Sequence, residues 1–134
     1  MEPILVDTSV WIDWFRGIDT PQTQQVAVYL AANQPIWGTP TILQETLQGI
    51  RDDHQFEVVK TSLLALNYPD VDPARMAIAA ASLYRTLRKS GITIRKPNDC
   101  LIAAHAVMAN VTLLHHDVDF DQIASGTRLK VFSL

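Results

Sequence analysis

Ile4-Leu5-Val6-Asp7-Thr8-Ser9 sets the fold: three aliphatic residues, one acid, then two hydroxyl residues. A short aliphatic, β-branched run suits a strand buried on both faces. Asp-Thr-Ser directly behind it reads as a helix start, because each side chain can accept from N–H groups that a first helical turn leaves free. A strand that ends in an acid and turns into a helix is the junction of a parallel α/β sheet. Ligands of such sheets bind in the crevice beyond the carboxyl ends of the strands.

Working outward, residues 10–18 place Val10, Trp11, Trp14, Phe15 and Ile18 on one helical face, with Asp13 and Arg16 opposite and Gly17 as the stop. A second helix is expected over residues 22–32 with Val26 and Leu30 inward, and a strand over residues 35–39. Residues 41–50 form a helix with Ile42, Leu43, Leu47 and Ile50 as its apolar side, and residues 54–64 form another. Leu66-Asn67-Tyr68 reads as a short strand. Asp72-Pro73 is an N-cap followed by proline at the first helical position, opening a helix through Met76, Ala80, Leu83 and Leu87 that Ser90-Gly91 stops. Asn98-Asp99 starts a helix over residues 100–109 that is apolar almost all round and so belongs at the centre. Residues 112–114 and 129–132 supply the last strands. The alternation predicts a three-layer α/β/α sandwich with a mostly parallel central sheet, as one domain over residues 1–134 without repeats or linkers.

Composition narrows the classes. With 134 residues, 48% of them hydrophobic, the chain can bury a sizeable core, and 19% charged residues do not describe a disordered segment. A net charge of −3 argues against a broadly basic nucleic-acid binder, though not against a local basic rim beside an acidic pocket. Cys100 is the only cysteine, which excludes an intramolecular disulfide and suits a reducing interior. Met1-Glu2-Pro3 lacks a basic n-region, and the longest nearly apolar stretch, residues 101–111, is too short to cross a bilayer. A soluble, cytoplasmic protein with no membrane partner is expected.

Four acids fall where an apolar run gives way to a turn or a helix start: Asp7, Glu45, Asp99 and Asp117. Each has an ordinary structural explanation. Asp7 and Asp99 suit helix caps, Glu45 suits a solvated helix surface, and Asp117 and Asp119 suit a strand-to-helix turn. Taken together they lie near the carboxyl edge of the expected sheet. Carboxylates sharing a site repel unless a cation neutralises them or some hold protons.

Four passages carry a resemblance. Ile4-Leu5-Val6-Asp7-Thr8-Ser9-Val10-Trp11, Gln44-Glu45, the run from Lys96 through Pro97-Asn98-Asp99-Cys100 to Ala106, and Leu113-Leu114-His115-His116-Asp117-Val118-Asp119-Phe120 resemble the PIN-domain family, above all the VapC toxins of bacterial toxin–antitoxin pairs. The match runs in the family's order over essentially the whole chain. It implies a Mg²⁺-dependent endoribonuclease, with Mn²⁺ able to substitute, that is usually a homodimer. It also implies silencing by a cognate VapB-type antitoxin whose tail occupies the active site. Asp7, Glu45, Asp99 and Asp117 match the family's acidic quartet, Asp119 a further acid, and Thr8 a hydroxyl beside the first acid. One departure is His115, where the family often has Ser or Thr.

The resemblance sets the expected roles. Asp7, Asp99 and Asp117, with Asp119, would hold metal, and Glu45 would be a weaker ligand or position the attacking water. Mg²⁺ prefers oxygen ligands and keeps several waters; one ion can activate water and a second, roughly 4 Å away, can stabilise the leaving oxygen. Hydrolysis of that kind leaves a 5′-phosphate and a 3′-hydroxyl. Arg95 and Lys96, immediately before Asp99, are expected with Thr8 and His115 to contact the RNA substrate. Arg85, Arg88 and Lys89 suit the negative end of their helix dipole and a solvated face. Trp11, Trp14 and Phe15 divide between core packing and a groove for a partner helix.

Other chemistries fit less well. His115-His116-Asp117 lacks the ligand spacing of structural zinc sites, His105 reads as a satisfied core histidine, and no glycine-rich phosphate loop is present. Ser9 has no His–Asp arrangement to make it a nucleophile. Asp7-Thr8-Ser9 lacks the second acid of an aspartyl phospho-receiver. The alternative from another class is a catalytically silent PIN-like domain that binds RNA or a protein partner.

Overall fold

A computed structural model describes residues 1–134. In chain order the elements are β1 (Ile4–Val6), α1 (Thr8–Phe15), α2 (Pro21–Ala31), β2 (Ile36–Trp37), α3 (Pro40–Gln48), α4 (Asp53–Leu64), α5 (Pro73–Lys89), α6 (Pro97–Ala109), β3 (Thr112–Leu114) and α7 (Val118–Gly126). The sheet runs β2-β1-β3, and both pairings are parallel. β1 is central and its three side chains are at most 1% exposed, which is why that run is aliphatic throughout. The order puts β2 on one side of β1 and β3 on the other. The gap beyond the carboxyl ends of β1 and β3 is therefore the topological switch point, where ligands of such sheets bind.

Helices cover the sheet in two groups. α1 packs on α2 and α3, and α3 on α4, while α6 packs on α5 and α7. α6 is buried through Asp99, Cys100 and Ile102–Ala106, as its unbroken apolarity predicts. Ile102, Leu113, Leu114, Phe120 and Ile123 join β1 in the core. Each fully buried aliphatic or aromatic side chain contributes about 1.5–3 kcal/mol. No helix is long and apolar enough to cross a membrane.

Several expectations need correction. Residues 66–68 and 129–132 each pair through one residue only, Asn67 with Trp37 and Val131 with Leu113, both parallel. Pro69 follows Asn67 closely and has no N–H to extend a ladder, so the sheet margin is kept short. On α2, Leu30 is 49% exposed, and Tyr29 turns inward beside Val26 and Thr23. The covered face follows the i±3 row from Val26, and the Tyr29 hydroxyl donates to the Glu2 carbonyl at 2.8 Å. Ile18 is exposed because α1 ends earlier, at an Arg16 cap followed by Gly17 with φ +71°. Helix α6 begins at Pro97, so Asp99 lies inside the first turn; Lys96 occupies the cap position without a side-chain capping bond.

Candidate active site

The four scattered acids meet. Asp7, Glu45, Asp99 and Asp117 line one pocket together with Thr8, Ser9, Gln48 and Lys96. Asp7 follows β1 and Asp117 follows β3 after two histidines, so these acids flank the switch point directly. The Asp7 N–H donates to the Leu114 carbonyl at 2.9 Å, fixing one strand end against the other. Asp99 arrives from the first turn of α6 and Glu45 from the middle of α3.

Capping and pocket placement are not alternatives here. Asp7 is the N-cap of α1, with Oδ2 accepting from the Ser9 N–H at 3.0 Å and the Ser9 hydroxyl at 2.6 Å. Asp117 is the N-cap of α7, with Oδ1 accepting from the Asp119 N–H at 3.0 Å. In each case one carboxylate oxygen locks the side chain's direction and leaves the other for the pocket. Thr8 donates to Glu45 Oε1 at 2.8 Å, tying α1 to α3 across the site. The positive N-terminal ends of α1, α6 and α7 lie at the same edge and offset part of the negative charge.

Two cations hold the remaining acids. Lys96 Nζ donates to Asp117 Oδ2 at 2.7 Å and stands 3.8 Å from Asp99 Oδ2. Arg95 donates to both oxygens of Asp119, at 3.1 and 3.3 Å, while its own side chain stays 77% exposed. Asp119 is thus held at the back of the cluster and does not line the pocket. The buried Asp99 Oδ2 has no hydrogen-bond partner at all.

Electrostatics follow from this layout. Burial raises the Asp7 carboxyl above its usual value, outweighing its bonds from Ser9 and Thr8, with the Glu45 charge adding to the rise. Burial likewise pushes Asp99 up to about 7, against the opposing Lys96 charge and with the help of Asp7, Asp117 and Glu45. At Asp117 burial works upward too, but the Lys96 bond, the Asp119 N–H and nearby positive charge outweigh it and lower the value. The Lys96 ammonium is held above its usual range, first by its bond to Asp117. Asp99, Asp117 and Asp119 each offer a carboxylate oxygen within 4.8 Å of the others. An unpartnered buried oxygen inside an all-oxygen donor set fits a hard divalent cation, and these acids could hold one.

His115 does not line the pocket. Its ring is largely buried and tilted against Phe120 at 5.4 Å, with Nδ1 accepting the Asp117 N–H at 3.1 Å and Nε2 3.2 Å from Asp121. The imidazole therefore supplies the backbone acceptor that a short hydroxyl could offer at this position. His116 faces Asp13 at 3.2 Å, so the two histidines diverge and form no zinc set with Asp117. His105 is buried but not satisfied, since its Nδ1 lacks a partner and burial lowers its pKa. Cys100 is buried, with its thiol pushed up by desolvation. Arg85, Arg88 and Lys89 stay away from the pocket, and Arg88 lies over the Tyr84 ring.

Trp11 is a core residue, 3% exposed and stacked on Phe15 at 5.8 Å, whereas Trp14 and Phe15 are half-exposed. Ser9, read from the sequence only as part of a helix start and rejected as a nucleophile, and Gln48 both line the site. Ser9 clamps Asp7 and accepts the His116 N–H at 3.0 Å, a link across 107 residues that no local pattern announces. Gln48 was accessible: it lies three residues after Glu45 on α3 and so shares its face.

The PIN domain family matches residues 4–126. The chain is 37% identical over 131 residues to VapC ribonuclease Mb1587 of Mycobacterium bovis, covering 97% of this chain and 98% of that protein. Ribonuclease VapC11 of Mycobacterium tuberculosis matches with the same identity and coverage. Among solved structures, the DNA-bound VapBC of Salmonella typhimurium superposes with a TM-score of 0.77 at 19% identity, over 98% of both chains. VapC20 of Mycobacterium tuberculosis, a Sarcin-Ricin loop cleaving toxin, gives a TM-score of 0.68 at 18% identity, over 95% of this chain and 98% of that one. The chain belongs to the PIN-domain family and, within it, to the VapC ribonucleases.

Proposed function

We propose that this protein is the endoribonuclease toxin of a toxin–antitoxin pair, hydrolysing RNA phosphodiesters to leave 5′-phosphate and 3′-hydroxyl ends. The observation that carries the proposal is the convergence of Asp7, Glu45, Asp99 and Asp117 on one pocket at the switch point. Mg²⁺ is the proposed cofactor, with Mn²⁺ able to substitute; when bound, it supplies a water of lowered pKa and positive charge against the phosphodiester. Asp7, Asp99 and Asp117 are its proposed holders, and Asp119 joins them only if Arg95 lets go. Thr8 fixes the Glu45 carboxylate, which positions the attacking water. Lys96 and Arg95 contact RNA phosphates from the rim.

Water is the proposed nucleophile because of what surrounds the pocket. Its titratable groups are carboxylates and Lys96, and no histidine lines it to work on a ribose 2′-hydroxyl. A VapB-type antitoxin is the proposed partner, the solved relatives being VapBC assemblies. Its contact would use the exposed faces of Trp14 and Phe15, with Trp11 supporting them from the core. A homodimer in the cytoplasm completes the proposal.

The test is RNA cleavage by purified, antitoxin-free protein with Mg²⁺ or EDTA, beside Asp7→Asn and Asp117→Asn. Cleavage lost in EDTA and in both folded variants is expected. A protein that binds RNA and never cuts it would favour the silent alternative.

A further inference from the structure

A second cavity adjoins the acid pocket. It has a volume of about 260 Å³ and is walled by Ile12, Phe15 and Ile50, with Arg16, Thr46 and Gln55 supplying polar groups. Ile12 lines both cavities, so the two are neighbours along α1. Glu45 and Gly49 face one cavity each and are four residues apart on and just after α3, a rise of about 6 Å. That is within the reach of one extended nucleotide.

The polar groups are uncommitted. The buried Thr46 hydroxyl has no hydrogen-bond partner. Arg16 makes no ion pair, and the Gln55 side chain makes no hydrogen bond; only its backbone N–H is used, by Asp52 at 2.8 Å. Arg16 also brings an unpaired positive charge to the rim of an acidic site. A half-exposed aromatic ring, apolar walls, an amide, a hydroxyl and a guanidinium form the combination that holds a splayed-out RNA base. Arginine matches the O6/N7 edge of guanine, and glutamine the N6/N7 edge of adenine. Both edges belong to purines.

We propose that this cavity binds one unstacked purine of the RNA, next to the phosphate held over the acids. The ring packs against Phe15 between Ile12 and Ile50, and its Hoogsteen edge meets Arg16 and Gln55. The cavity then makes cleavage base-selective at the adjoining nucleotide. The assignment rests on the ribonuclease reading for its place in the reaction, but not for the binding itself.

The test separates the two. Purine and pyrimidine nucleoside monophosphates are titrated into ¹⁵N-labelled, metal-free protein, and short single-stranded RNAs varied at one position are cleaved in parallel. Shifts at the Gly49 N–H and the Gln55 side-chain amide, with purines binding about tenfold tighter, are expected. Arg16→Ala and Gln55→Ala, both at accessible positions, should each remove most of that preference from binding and from cleavage. Purine binding at these residues without any cleavage would sustain the cavity and defeat the ribonuclease reading. Cleavage indifferent to the base and to both variants would overturn the cavity and leave the reading intact. Unchanged nucleotide binding combined with weakened antitoxin inhibition would also overturn it, by showing a protein-binding groove.

Discussion

Replacing Asp99 with Asn should abolish cleavage in Mg²⁺ and, in the metal-free protein, raise stability by a margin that depends on pH. The Asp99 side chain is 6% exposed, its Oδ2 has no partner, and its pKa stands at about 7 against 3.8 for a free carboxyl. A folded-state pKa above the unfolded one favours the fold while the group keeps its proton. That contribution is whole below about pH 4, declines as pH rises, and is gone above about pH 7. The shift corresponds to about 4 kcal/mol at full ionisation, of which about 1.5 kcal/mol is already lost at pH 5. Asparagine mimics the protonated carboxyl at every pH. Urea unfolding in EDTA should therefore show Asp99→Asn ahead of the parent by a modest margin at pH 5. At pH 8 the lead should widen by roughly 1–2 M in midpoint. Equal margins at the two pH values, or a variant less stable at pH 8, would refute the claim that burial of the Asp99 charge outweighs its attraction to Lys96.

Other outcomes follow from the same geometry. Lys96→Met should tighten Mn²⁺ binding up to about fivefold, measured calorimetrically, because the exposed Lys96–Asp117 pair that a cation must displace is worth no more than about 1 kcal/mol. His115→Ala should lower cleavage about tenfold by freeing the Asp117 N–H, and His115→Ser should restore most of it through its own oxygen. Arg95→Ala should flatten the salt dependence of RNA binding by roughly 0.7 in log–log slope if the guanidinium meets one phosphate.

Much of the fold was legible because local signals agreed. The aliphatic run 4–6, the proline-led helix start at Pro73, and the glycine stops at Gly17 and Gly91 all sit where the sequence puts them. The sheet margins were not legible. Residues 66–68 and 129–132 have strand-like composition, but pairing length at an edge depends on tertiary neighbours and on Pro69. Leu30 was misplaced because hydrophobicity alone favours leucine over tyrosine, and the hydroxyl's route to the Glu2 carbonyl lies outside any periodicity. At the site, strand-end position pointed to Asp7 and Asp117, and the family resemblance turned that hint into an assignment. Glu45 needed the family resemblance, since its own helix reads as solvated until Thr8 from α1 reaches across to hold it. The double duty of Asp7 explains why its capping interpretation looked sufficient: it is correct for one carboxylate oxygen.

The central claim is that the gathered carboxylates serve hydrolysis of RNA by water. Cleavage of a single-stranded RNA in ¹⁸O-labelled water with Mg²⁺, followed by mass analysis of the new ends, tests it most directly. The account predicts ¹⁸O in a 5′-phosphate, a free 3′-hydroxyl, and no product in EDTA or with Asp7→Asn. A 2′,3′-cyclic phosphate with a 5′-hydroxyl, or cleavage that persists without metal, would contradict it.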